Sequence, residues 1–313
     1  MLAPLATVLV LTVLWCVYWV IASAAVRTAY AEGVRRLSSD GISITCRETR
    51  WGGFPFRVEH DCSAPKVTIT RGSEPVVISA ADALVVVQIW DPRHAVALLD
   101  GPTEFSGPGP EEIRHGRALA SLKMSLDRTW QASVEVPNVI VEPIAKAQRI
   151  LLHARDRGGD TVDVAMSAAA LELRLSGGAR LPLAAVAVSA SLPRDALEHD
   201  IAHYLARTGR EIVIDSVSAE QGDLKITGSG KIGIDAEGYL EGRIAISTSR
   251  IDLLLDLIGP IARLKPEDVR AAKTFLGLLQ TGSGSSGTTI DVIAKDRKLY
   301  LGPFKIANLE PLF

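Results

Sequence analysis

Cys46 and Cys62 bracket the stretch Arg47-Glu48-Thr49-Arg50-Trp51-Gly52-Gly53-Phe54-Pro55-Phe56-Arg57-Val58-Glu59-His60-Asp61, and the chemistry open to them is disulfide formation. In an oxidising compartment they would close a loop of roughly 15 residues, worth about 3 kcal/mol on the chain-entropy model. In a reducing one they would stay thiols, and two unrelated buried cysteines would leave the same trace. The third cysteine, Cys16, lies in an apolar N-terminus. A C-x-x-C redox motif or a zinc knuckle needs closer spacing or more ligands.

Other patterns imitate catalysis. His199-Asp200-Ile201-Ala202-His203 has the H-x-x-x-H spacing of zinc proteases, with Asp where their general-base Glu would stand. On a helix over 193–209, both histidines fall opposite Leu197, Ile201, Tyr204 and Leu205, face water and have no evident third ligand. Gly282-Ser283-Gly284-Ser285-Ser286-Gly287 matches G-x-G-x-x-G, yet it follows a helical pattern and leads into a strand. The dinucleotide fingerprint needs strand, loop, then helix. There is no G-x-S-x-G elbow and no Walker lysine. No catalytic, cofactor-binding or metal-ligating residue is assigned, and a non-enzymatic role is expected.

Stepping outward, the chain has 313 residues, room for two ordinary domains or one large one. Aromatic residues make up only 5%, so the core must be built from Val, Ile, Leu and Ala, a composition that favours strands. A net charge of −2 with interspersed signs offers no field for phosphate backbones, which excludes nucleic acid.

Residues 2–26 carry no charge, and 5–26 alone would make a helix of about 33 Å, enough to cross a hydrocarbon core of about 30 Å. Trp15, Tyr18 and Trp19 suit an anchor near an interface. Ala22-Ser23-Ala24 has the form of a processing site, so a cleaved, soluble protein is the rival reading. Arg27, Arg35 and Arg36 follow the run, and the positive-inside rule alone would keep the body in the cytoplasm. The cysteine pair argues the reverse, and we give it more weight. The expected order is an anchor at 1–27, a linker helix at 28–40 and a β-rich body at 41–313, with a loose echo between 41–143 and 144–313.

In the body, 42–47 and 54–61 read as a hairpin reversing at Trp51-Gly52-Gly53 and stapled by the cysteines. Trp51, Gly53, Phe54, Pro55 and Phe56 form its motif. The aromatics are expected to pack under the hairpin, with a grip on lipid or a partner as the rival. Strands follow at 67–70, 76–79 and 83–90, then after a break at Asp91-Pro92-Arg93-His94 a short element at 94–99 closed by Asp100-Gly101-Pro102, then strands at 118–126 and 130–137. The 144–156 stretch fits helix or strand, and the loop Arg157-Gly158-Gly159-Asp160 tips it to strand. Strand 161–175 slips phase near 168–170, which implies a bulge or break. Beyond strand 183–192 and the 193–209 helix, 211–219, 223–234 and 239–249 read as a meander. Short helices at 253–258 and 265–279, a flexible loop at 281–289 and a hairpin of 290–294 with 299–306 complete the chain. The class is mainly β (α+β): a large curved antiparallel sheet or half-barrel with a few short helices, preceded by one transmembrane helix.

Cys46, Gly53-Phe54-Pro55-Phe56-Arg57, Cys62, Pro65 and the tail Leu301-Gly302-Pro303 carry a resemblance to a bacterial family catalogued only as a domain of unknown function. The resemblance implies inner-membrane-anchored periplasmic proteins of alphaproteobacteria. Gly228-Ser229-Gly230-Lys231-Ile232-Gly233-Ile234-Asp235 and Gly238-Tyr239-Leu240-Glu241-Gly242 are similar to strand repeats of AsmA-like envelope proteins, which are associated with lipid transport or outer-membrane homeostasis. The family carries no assigned catalytic residues. The function expected is therefore binding or shielding of a lipid or other hydrophobic envelope component at the inner membrane. The alternative is a structural or assembly factor that contacts envelope proteins.

Overall fold

The computed structural model describes residues 2–70, 75–107, 111–174, 180–248, 250, 252–255, 267, 270, 273–274 and 288–313. It divides into two compact units, Met1–Glu142 and Pro143–Phe313, each dominated by antiparallel strands.

The first unit opens with helix α1, Leu2–Ser39, about 57 Å long by its rise per residue. It runs unbroken through the expected boundary at 27/28. Glu32 forms ion pairs with Arg35 and Arg36 one turn on. The helix ends where Gly41 turns left-handed (φ 76°) and the Ser38 carbonyl accepts from its N–H.

The strands that follow correct the expected hairpin. Strand β1, Ile42–Thr45, pairs with β4, Lys66–Ile69, while β2, Glu48–Gly52, pairs with β3, Arg57–Ser63. The reversal therefore lies at 53–56, later than Trp51-Gly52-Gly53. Gly53 makes it possible: at φ 97° a Cβ there would stand 2.5 Å from the Arg57 carbonyl oxygen, which only glycine avoids.

Two predicted breaks are absent. Strand β5, Val76–Gln88, fuses the expected 76–79 and 83–90 strands; after a reversal at 89–90, β6, Asp91–Ser106, starts on Asp91-Pro92 and runs on through Asp100-Gly101-Pro102. The register shifts between Ala80 and Asp82, so Pro102 lies at a bulge where no ladder N–H is required of it. That bulge lets β5 pair with β4 along one half and β3 along the other. Strands β7, Glu112–Ile113, β8, Ala118–Met124, and β9, Trp130–Val141, complete the unit.

The second unit is a meander in which each strand pairs with the next. Its first strands are β10, Ala145–Asp156, β11, Thr161–Arg174, and β12, Arg180–Pro193. After an excursion come β13, Ile212–Gln221, β14, Leu224–Ile234, β15, Leu240–Thr248, and β16, Thr288–Lys295. Strands β17, Lys298–Leu301, and β18, Phe304–Asn308, end it, so the expected 299–306 strand is split by a turn at Gly302-Pro303. The phase slip in β11 is a positive φ at Ala170, with the register to both neighbours unchanged on either side. It is a local kink without an inserted residue.

The excursion replaces the single 193–209 helix. A 3-10 turn, Arg194–Glu198, gives way at an extended His199 to helix α2, Ile201–Thr208. Asp200 imposes the break: its carboxylate accepts from the His203 N–H at 3.0 Å as the N-cap, a role that needs a non-helical backbone. Residues 252–255, 267, 270 and 273–274 are helical. The remainder of the 253–258 and 265–279 helices, and 281–287 with its Gly282–Gly287 motif, lie outside the described residues, while Thr288 already belongs to β16.

A buried ion pair fixes the β10–β11 loop. Asp156, 4% exposed, receives both ends of the Arg194 guanidinium and the Gly158 N–H, while Arg194 Nε donates to the Gly159 carbonyl. Replacing Arg194 with Ala would leave a carboxylate buried and unpaired. Because the Arg194 side chain is 36% exposed, water can reach part of the gap, and the expected loss is about 2–3 kcal/mol, read from chemical denaturation. Arg194→Lys should recover little of it, since an ammonium cannot match both carboxylate oxygens.

Candidate functional site

Strand alternation gives the second unit one apolar face. Paired residues form a row Leu152, Met166, Val188, Val217, Gly228, Ile246, Ile290 across β10 to β16. The next row, Ala154, Val164, Ala190, Ile214, Gly230, Ile244, Val292, Leu301, Phe304, crosses all nine strands. On the opposite face the corresponding positions include His153, Arg155, Asp163, Ser189, Ser191, Lys231 and Arg243.

This face is closed at one end and open at the other. Leu254 and Leu255 seal the β14–β17 end against Leu224, Ile246, Ile290 and Leu301. Over β10–β12 the first of these rows surfaces, with Leu152 41% and Met166 45% exposed and Val188 half-buried, while in the second Ala190 stays buried and Val164 packs against its cluster. Two rows free of charge and of hydrogen-bonding side chains can hold an acyl chain or another apolar body. They offer nothing for acid–base or nucleophilic chemistry.

The cysteine-bracketed motif lies in the first unit. Cys46 and Cys62 form a disulfide with Cα atoms 5.4 Å apart. It ties the β1–β2 junction to β3, at the root of the hairpin. Phe54 and Phe56 do not pack beneath that hairpin as expected. They stand exposed at its tip, against α1: Trp19 meets Phe54 edge-on at 5.3 Å, and Trp15 tilts over Phe56 at 6.1 Å. The indole N–H groups of Trp15 and Trp19 donate to the carbonyls of Pro55 and Arg57, both at 3.0 Å, and the Tyr18 hydroxyl donates to the Ile89 carbonyl at 2.8 Å. The available signal was the spacing of Trp15, Tyr18 and Trp19, which puts them on one helix face.

Trp51 turns inward, where it forms a triangle with Tyr30 and buried His60, each ring 4.4 Å from the imidazole. Arg27 lies 5.3 Å over the Trp51 ring. Burial pushes the Tyr30 hydroxyl pKa up and the His60 pKa down, the latter partly offset by Asp61.

A family model described as "Uncharacterized protein conserved in bacteria (DUF2125)" matches residues 19–310. The chain belongs to this family. No curated protein matches it. The DUF2125 span takes in Trp19, the disulfide and the strands of both units.

The polar clusters of this DUF2125 protein are internally engaged. His199 and His203 border a cleft of about 460 Å³ beside Asp200, Tyr204 and Phe313. With the helix starting only at Ile201, they are not successive turns of one helix. His199 stacks on Tyr204, His203 stacks on Phe313 at 4.0 Å, and the His203 backbone N–H draws the Asp200 pKa below the usual carboxylate range. A second cleft holds His153, Ser189, Ser191 and Asp215. There the Ser191 hydroxyl donates to Asp215 at 3.0 Å and Ser189 bonds Ser216. Among the described residues no group of three or more His, Cys, Asp or Glu side chains could hold a metal.

His60 supplies a pH test. Its folded-state pKa lies below the unfolded value of about 6.5, so its contribution to stability is complete above that pH and is lost as pH falls towards the folded value. The Tm should therefore drop on acidification from about pH 7.5 to about pH 5.5, and His60→Phe should lessen that drop.

Proposed function

We propose that this DUF2125 protein is tethered to the inner membrane by α1, carries its body on the oxidising, periplasmic side, and binds or shields a lipid or other hydrophobic envelope component on the apolar face of its second unit. The half-open face over β10–β12 carries the reading. Its exposed positions, Leu152 and Met166, continue a row whose far members Ile246 and Ile290 are buried, so the surface that makes the core at one end is open to an occupant at the other. Similarity of the β14–β15 stretch to AsmA-like repeats supports the same ligand class.

An uncleaved anchor is favoured by the length of the charge-free run, 2–26, which exceeds the 7–15 apolar residues of a signal h-region. The Cys46–Cys62 bond favours an oxidising compartment over the orientation that the arginines alone would set.

The ligand is tested with a benzophenone amino acid placed at Met166, or as control at Ala165 on the opposite face. After irradiation in cells, mass spectrometry should find a lipid adduct at Met166 and none at Ala165. A specific protein adduct at Met166 would support the assembly-factor reading instead, and the absence of any adduct would overturn an open binding face. Topology has a separate readout. In a Cys16→Ser background a maleimide should label Cys46 and Cys62 only after reduction, and immediate labelling of the native protein would exclude the oxidising compartment.

A further inference from the structure

One end of the first unit's sheet is made of three turns, at 53–56, 89–90 and 125–129. The ladder puts them side by side: Arg57 pairs with Gln88, Gln88 with Asp91, His94 with Lys123, and Met124 with Trp130. Water-facing turns are ordinarily built from Gly, Pro, Asn, Asp and Ser. Each of these turns instead presents a large apolar side chain to the outside: Phe54 58% and Phe56 57% exposed on the first, Trp90 59% on the second, Leu126 87% on the third. Exposed cations stand beside the tips: Arg57, Arg93 and Lys123 in the strands behind them, Arg57 paired with Glu59 at 2.7 Å, and Arg128 in the third turn itself. Asp91 and Asp127 share that end, the latter bonded to the Thr129 hydroxyl and N–H.

The position of α1 points to what meets this surface. Trp15 lies level with Pro55, and the charge-free run continues for 11 residues beyond it to Val26, about 16 Å of helix alongside the sheet. A bilayer that covers the upper part of that run also reaches the turns. The turn backbone is prepared for such a setting, because the carbonyls of Pro55, Arg57 and Ile89 are already taken by Trp15, Trp19 and Tyr18. Backbone polar groups away from water require internal partners.

We infer that this sheet end is a second membrane contact, a wedge whose Phe54, Phe56, Trp90 and Leu126 enter the boundary between headgroups and acyl chains while Arg57, Arg93, Lys123 and Arg128 lie at the phosphates of anionic phospholipids. Aromatic and aliphatic tips backed by cations match the two layers of that interface. The inference rests on the reading of α1 as an anchor. It adds that the first unit is held against the bilayer surface, with Tyr30, Trp51 and His60 above the headgroups.

The test uses the full chain with Cys16→Ser, reconstituted in vesicles of phosphatidylethanolamine and phosphatidylglycerol containing doxyl-labelled lipid. A fluorophore is attached at Phe54→Cys, Trp90→Cys or Leu126→Cys, at Asp82→Cys midway along β5, six residues back from Gln88, and at Leu11→Cys within α1. Leu126 is the most exposed site and the least able to disturb the fold. Quenching at the three tips should exceed that at Asp82→Cys by about twofold or more. If Leu11→Cys is quenched while all three tips behave like Asp82→Cys, the wedge is overturned and the anchor stands. If Leu11→Cys is not quenched, the anchor reading fails and the wedge falls with it.

Discussion

An apolar helix and an antiparallel sheet meet through three backbone oxygens. Trp15, Tyr18 and Trp19 each give a hydrogen to a backbone carbonyl at this end of the sheet, while the Trp15 and Trp19 rings meet one side of Phe56 and Phe54. Each such bond is worth about 0.5–1.5 kcal/mol net, and together with the ring contacts the three of them set the helix against the turns. The disulfide fixes the opposite end of the hairpin, and Tyr30, Trp51 and His60 fill the space between. The motif is thereby held at root, middle and tip, and the position of α1 along the sheet follows from it.

The second unit depends on a simpler constraint. A period of two sends successive side chains to opposite faces, and keeping one phase over nine strands concentrates the aliphatic residues on a single surface. The glycines in those rows serve close approach: a Cβ on Gly230 would meet the Arg243 carbonyl and the Ile244 Cα. Leu254 and Leu255 seal one end, and Leu152 and Met166 stay accessible at the other. The polar face spends its hydroxyls and carboxylates on one another, as Ser191 does on Asp215.

Much of this was legible in the residues. The charge-free run, the helix-ending turn before Ile42, the β10–β11 hairpin and the β13–β15 meander all follow from local pattern, because their turn residues coincide with the strand ends. The reading failed where the same residue types served another purpose. Asp91-Pro92 and Asp100-Gly101-Pro102 look like stops, yet they begin or bend β6, since a bulge removes the need for a proline N–H. Asp200 looked like part of a helix face and is in fact the cap that splits the helix. Phe54 and Phe56 were assigned to the hairpin's underside, because their partners lie some forty residues away in α1 and no local pattern records that distance.

The exposed tips sharpen what the cysteine-bracketed stretch is for. Burying a large apolar side chain is worth about 1.5–3 kcal/mol, and this sheet end forgoes that gain at four positions on three adjoining turns. Scattered exposed apolar residues are ordinary, but alignment on one edge is not. Covalent closure at the root of the hairpin, donors from the helix at its tip, and apolar side chains that touch the helix yet stay more than half exposed make one consistent arrangement. In water the three carbonyls could be left to solvent. Their satisfaction by helix side chains is consistent with the membrane contact inferred above, which would give the hairpin a second role besides that of staple.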